Sequence, residues 1–124
     1  MSTRPNLRPF SVITNGDMSG NITSKVTIID NKTIIGYDIS WTGTAPVGTM
    51  SVQVSNSYSE NADGSVRNAG NWTTLTLSAP TPVSGATGNG FIDVDLTGGY
   101  AIRLVYTRTS GTGTMNAVIC AKVS

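Results

Sequence analysis

Apolar and polar residues alternate along most of this chain with a period of two, the mark of strands with one buried and one wet face. The clearest stretch is residues 33–42, where Ile35, Tyr37, Ile39 and Trp41 share one face and Asp38, Ser40 and Thr42 share the other. Residues 49–55 repeat the pattern with Met50, Val52 and Val54 against Ser51, Gln53 and Ser55. Residues 25–30, 72–77, 91–96, 100–108 and 115–122 read as further strands. Ile92, Val94 and Leu96 lie on one face of the 91–96 segment, and Ile102, Leu104 and Tyr106 on one face of 100–108. A possible eighth strand covers residues 10–14. No window longer than about one turn fits a helical period.

The segments between these strands carry turn chemistry. Asp30-Asn31-Lys32 is a tight-turn candidate. Residues 42–48 hold Gly43, Pro46 and Gly48 and read as a loop, which makes 33–42 and 49–55 expected antiparallel neighbours. Residues 56–71 form a long polar connection, and 78–89, with Pro80, Pro82, Gly85 and Gly88, form another. Ser110-Gly111-Thr112-Gly113 reads as a hairpin turn. Seven to eight short strands with turns at near-regular spacing predict an all-β fold, an antiparallel β-sandwich of immunoglobulin-like or jelly-roll topology. Residues 1–17 contain two X-Pro bonds and little periodicity. They are expected to form an extended N-terminal arm, with residues 18–124 as the sandwich domain.

Composition agrees with this picture and removes several function classes. Thr (18), Ser (14), Gly (14) and Asn (10) dominate the 124 residues, and charged residues are only 12%. Such a chain is poor in helix formers and rich in turn residues. The net charge of +1 offers no basic footprint for nucleic acid. No run approaches the length of a membrane span, and the N-terminal residues lack the apolar stretch of a secretory signal. Neither a nucleic acid nor a membrane is an expected partner. The sequons at Asn21, Asn31 and Asn71 are what so much Asn, Ser and Thr produces by chance.

The absence of His removes the commonest general base and metal ligand. The single Cys120 rules out an internal disulfide or a cysteine zinc cluster, and its strand of small and aliphatic neighbours reads as packing. Asp93 and Asp95 share a strand face roughly 7 Å apart, a separation a glycosidase could use. Adjacent positions on one strand, with Ile92 and Val94 turned inward, read instead as a solvated outer face. Glu60 and Asp63 lack the alternation of a calcium loop, and Asp63-Gly64 reads as a turn. No catalytic residue, cofactor or metal is expected, and the chain is not expected to be an enzyme. Candidate partner contacts are Phe10, Val12 and Ile13, the apolar cluster of the arm, together with Tyr58 and Trp72 around the 56–71 connection.

The segments Trp41-Thr-Gly-Thr44, Gly48-Thr-Met-Ser-Val-Gln-Val-Ser-Asn56 and Gly70-Asn-Trp-Thr-Thr-Leu75 resemble small β-sandwich structural proteins of tailed bacteriophages. The run Tyr100-Ala-Ile-Arg-Leu-Val-Tyr-Thr-Arg-Thr-Ser-Gly-Thr-Gly-Thr-Met-Asn-Ala117 resembles the closing hairpin of the same family. The resemblance implies a virion protein, with capsid decoration as the leading role. The implied partners are the phage major capsid protein or another virion protein, and the chain itself as a homo-oligomer such as a trimer. A chain of this kind is made in the host cytoplasm and ends in the virion. The alternative is a receptor- or carbohydrate-binding module of a tail fibre or adhesin, using Tyr58, Trp72 and residues 56–71.

Overall fold

The computed structural model describes residues 7–29, 34–75, 81–95 and 100–122. The chain runs through β1 (Leu7–Asp17), β2 (Ile22–Thr23), β3 (Thr27–Ile28), β4 (Ile34–Ser55), β5 (Ser59–Glu60) and β6 (Val66–Asn68). It continues through β7 (Thr73–Thr74), β8 (Thr81–Ser84), β9 (Thr87–Asp95) and β10 (Ala101–Lys122). All pairing is antiparallel, and no helix occurs among the described residues.

β4 and β10 are each 22 residues long and pair along their whole length, from Ile34 opposite Lys122 to Ser55 opposite Ala101. Straight, each would span about 70 Å at roughly 3.3 Å per residue. A 124-residue domain has a radius of gyration of only about 14 Å. The ribbon must therefore bend, and it does so through two bulges. β10 carries one extra residue, Thr109, where Arg108 faces Gly48 and Ser110 faces Val47. β4 then carries Ala45 and Pro46 against the single Gly111. One extra residue on each strand cancels, so the ladder resumes in its original register beyond the corner. Ala45 adopts φ 48° and Gly111 φ 80°. A Cβ on Gly111 would collide with the Ala45 carbonyl and lie 2.7 Å from Pro46 Cα.

Each bulge also shifts the inward phase by one residue. Ile35, Tyr37, Ile39 and Trp41 point inward before the β4 corner, and Met50 and Val52 after it. On β10, Ile102, Leu104 and Tyr106 give way to Met115, Ala117, Ile119 and Ala121. One face of the ribbon thus stays apolar from end to end, and bending folds that face around one core. In the first half the sheet order is β1-β10-β4-β9. In the second half β2 and β3 line β10, while β7 and β8 line β4. The halves meet along one edge, where Lys25 N donates to the Val12 carbonyl (3.1 Å). The β8–β9 hairpin bridges the opposite edge, pairing with β4 on either side of the corner. This is the expected antiparallel β-sandwich, made from a single eight-stranded sheet.

Several local expectations change. Residues 33–42 and 49–55 are not neighbours but the two arms of β4, and 100–108 and 115–122 are the two arms of β10. The Gly- and Pro-containing segments read as a loop and a hairpin turn lie opposite each other, so their irregularities become paired bulges rather than chain reversals. Within the connection read at 78–89, residues from Thr81 onward form β8, a turn at Gly85 and the start of β9. Pro82 is accommodated because β8 is an edge strand. The strand read at 72–77 is described only as Thr73–Thr74, and that at 25–30 as Thr27–Ile28. Of the expected core, Val54 is half-buried and Leu96 lies outside the described residues; the others are buried.

The described part of the expected arm, Leu7–Asp17, is a strand paired with β10 from Ala121 to Thr114. A register shift between Ser11 and Ile13 lets two consecutive apolar residues, Val12 (3% exposed) and Ile13 (4%), both enter the core. They are anchors of the chain's own sandwich rather than of a neighbour's, because burial inside the domain already satisfies them.

Two consequences are measurable by denaturant unfolding. Gly111→Ala should destabilise the protein by more than about 2 kcal/mol, since left-handed strain and the Ala45 collision add. Gly64→Ala, at φ 88° with open space around it, should cost only about 1 kcal/mol. Equal losses would show that the corner is not under this constraint. Deleting residues 1–14 should abolish cooperative unfolding or remove at least about 3 kcal/mol, because Val12 and Ile13 each contribute about 1.5–3 kcal/mol of burial. An unchanged unfolding midpoint would mean that β1 is dispensable.

Candidate partner-recognition site

The outer face of the second half carries a row of polar side chains set by the ladder. Gln53 of β4 lies opposite Arg103 of β10 on one side and Thr74 of β7 on the other. Arg103 Nε donates to Gln53 Oε1 (2.8 Å), and Gln53 Nε2 donates to Thr74 Oγ1 (3.3 Å). The Trp72 ring lies against the guanidinium, whose Cζ is 4.2 Å from the ring centroid. This is a cation–π contact on an arginine already half removed from water. Burial draws the Arg103 pKa below its ordinary value.

Residues 56–71 place Trp72. Ser55, buried at the end of β4, accepts through Oγ from the backbone N–H groups of Ser57 (3.2 Å) and Tyr58 (3.1 Å). Ser57 Oγ in turn accepts from Asn71 N (2.7 Å), which closes the base of the connection. Gly70, at φ 76°, passes so near that a Cβ would lie 2.6 Å from Tyr58 N. Trp72 Nε1 donates to the Ala69 carbonyl (2.8 Å), fixing the indole. Beyond this base, β5 and β6 form a small hairpin. At its tip Asp63 Oδ1 accepts from Ser65 N (3.0 Å) and Ser65 Oγ (2.6 Å). Those bonds hold the Asp63 carboxyl below its ordinary pKa and commit it to the turn.

Tyr58 and Trp72 are brought together, with ring centroids 5.8 Å apart at 57°. Tyr58, a candidate partner contact, is 6% exposed, because the loop base folds over it. Its hydroxyl donates to Glu60 Oε2 (2.6 Å). That bond, then burial and the Glu60 charge, push the Tyr58 pKa up to about 12. The other candidate contacts lie elsewhere: Val12 and Ile13 in the core, and Phe10 41% exposed on β1.

Arg103 and Gln53 were not singled out as contacts from the sequence. Their signal was present, since both fall on the wet phase of alternating strands, but their meeting depends on the β4–β10 register. In the first half, an open depression of about 500 Å³ is lined by residues including Ser40, Trp41, Thr42, Asn89, Thr114 and Asn116. Asp93 is exposed on this half, while Cys120 is half-buried.

No protein-family model matches the sequence, and no curated protein matches it. Among solved structures, the chain is similar to one in the structure of infectious bursal disease virus Gx strain, with TM-score 0.52 and 10% identity. The match covers 98% of this chain and 32% of that one, so this chain spans about a third of the viral chain's length. It is also similar to the SPBc2 prophage-derived protein YomS, with TM-score 0.48 and 9% identity over 97% of this chain and 96% of that one. A chain of the infectious bursal disease virus VP2 subviral particle matches with TM-score 0.30 and 13% identity, covering 96% and 42% respectively. At 10% identity the viral likeness is one of fold.

The Tyr58–Glu60 contact has a testable pH signature. The protonated phenol is the form that donates, so its contribution is complete below the unfolded tyrosine value near 10. It is lost as pH rises towards 12. Carbon-13 NMR of tyrosine Cζ should show Tyr58 ionising near pH 12, and Glu60→Gln should bring it closer to 10. A Tyr58 titration unmoved by that change would rule the contact out.

Proposed function

We propose that this chain is a structural protein of a virion. In this reading it is a capsid decoration protein that binds the assembled shell through protein–protein contacts, with no catalytic role. The observation that carries the reading is the sandwich architecture, which extends over 98% of this chain in its likeness to the chain from infectious bursal disease virus. The sequence supports it from a separate direction, through its resemblance to small structural proteins of tailed bacteriophages. The chemistry fits as well: a chain with no His and with Asp63 held in a turn offers surfaces rather than a reaction centre. In this reading the partners are the phage major capsid protein or another shell protein, and the chain acts as a homo-oligomer located in the virion.

The alternative, a receptor- or carbohydrate-binding module, needs open aromatic faces for sugar stacking. Tyr58 is buried and one face of Trp72 is covered by Arg103, so the geometry favours it less.

The deciding experiment uses capsid shells of the encoding phage assembled without this protein. Purified chain should co-sediment with the shells and saturate at a fixed copy number per shell. Protein that stays at the top of the gradient, together with specific capture on a glycan array, would replace this reading with the alternative.

A further inference from the structure

Arg103 is a half-buried cation that makes no ion pair among the described residues. Its cross-strand neighbour is Gln53, an amide, at the position where a carboxylate would complete an ion pair. Along β10 the next residues on the same face are Val105 and Thr107, both neutral. Of the two acids of the adjacent hairpin, Glu60 is engaged through Oε2 by Tyr58 and Asp63 through Oδ1 by Ser65. Among the described residues only Nε of Arg103 has a hydrogen-bond partner. The guanidinium is nonetheless held in place, by the Nε bond on one edge and by Trp72 over its face. Its remaining donors are a rigid fork of the kind that accepts a carboxylate in two parallel bonds.

We infer that the Arg103–Trp72 pair is a docking point for a carboxylate side chain, Asp or Glu, of a partner protein. A pre-positioned arginine pays little entropy when it binds, and a tryptophan that shields it from water strengthens each bond it makes. Arg and Trp are among the residues that most often carry the energy of protein interfaces, and here they are stacked on each other, with the buried Tyr58 ring packed against Trp72. The site lies on a sheet face rather than in a cleft, which suits a protein surface better than an isolated small acid. The inference rests on the shell-binding reading for the claim that the carboxylate belongs to a protein.

The test separates the two claims. Nitrogen-15 NMR of the full chain is titrated with hexaglutamate peptide and, separately, with glucuronate. Hexaglutamate should shift the Trp72 Nε1–H and Arg103 Nε–H resonances saturably, and added salt should weaken the effect. Arg103→Gln should weaken peptide binding by about tenfold or more. Arg103→Lys, which keeps the charge but loses the fork, should also bind more weakly than the parent. Arg67→Gln, on the exposed face of the hairpin, should leave binding unchanged. Peptide affinity unaffected by Arg103→Gln, or equal in Arg103→Lys and the parent, would overturn the inference. Tighter binding of glucuronate than of peptide would overturn it in favour of an acidic saccharide. Shell sedimentation of Arg103→Gln completes the test. Full occupancy by that variant overturns this inference and leaves the virion reading standing. A parent chain that ignores shells yet binds the peptide through Arg103 upholds the docking point and overturns the virion reading.

Discussion

The β4–β10 ladder is the constraint on which everything else in this protein depends. Two strands of 22 residues pair in one register, and their length is incompatible with a straight ribbon in a domain of this size. Matched bulges at Thr109 and at Ala45–Pro46 convert length into curvature without cost to the register. The inward phase shifts on both strands at the same corner, so a single apolar face closes around a single core. The shorter strands add to this ribbon rather than define it. β1 and β9 widen one half, and β2, β3, β7 and β8 widen the other.

The outer faces inherit their chemistry from the same ladder. Because Gln53 must face Arg103 when Val52 faces Leu104, the apolar pairing inside fixes the polar pairing outside. The 56–71 connection then packs onto that polar row, through the Ser55 hydroxyl at its base and the Trp72 ring at its end. The cluster therefore stands on a rigid strand pair, although half its residues come from a connection. A paired ladder of this kind gives a pre-organised surface.

Low charge gives individual ionic groups unusual weight. With charged residues at 12%, most outer-face positions are Thr, Ser or Asn, which hydrogen-bond locally or to water. Four of the fifteen charged side chains are engaged by local geometry: Asp17 accepts from Ser19 N, Asp63 from Ser65, Glu60 from Tyr58, and Arg108 Nε donates to the Gly111 carbonyl at the corner. Arg103 differs from these in being half-buried and stacked on a ring.

By itself the sequence determined the alternating stretches at the heart of the main strands and which face of each stretch is buried. Period-two alternation is a local property, and Ile35, Tyr37, Ile39, Trp41, Ile102, Leu104 and Tyr106 are buried as it predicts. It also brought Tyr58 and Trp72 forward as contacts, because large aromatics around a polar connection stand out from their surroundings. Only the tertiary structure decided how those strands join. Gly43, Pro46, Gly111 and Gly113 carry the same chemistry whether the chain reverses or merely bulges, and the choice depends on what lies opposite each of them across the sheet. The same holds for Val12 and Ile13, whose apolar character suits a docking arm or a core strand equally until β10 is seen beside them. It holds for Arg103 too, whose partner Gln53 is 50 residues away in sequence. Local pattern fixes phase, whereas pairing is a non-local contact between segments, and the register that creates this site exists only once the long ribbon has formed.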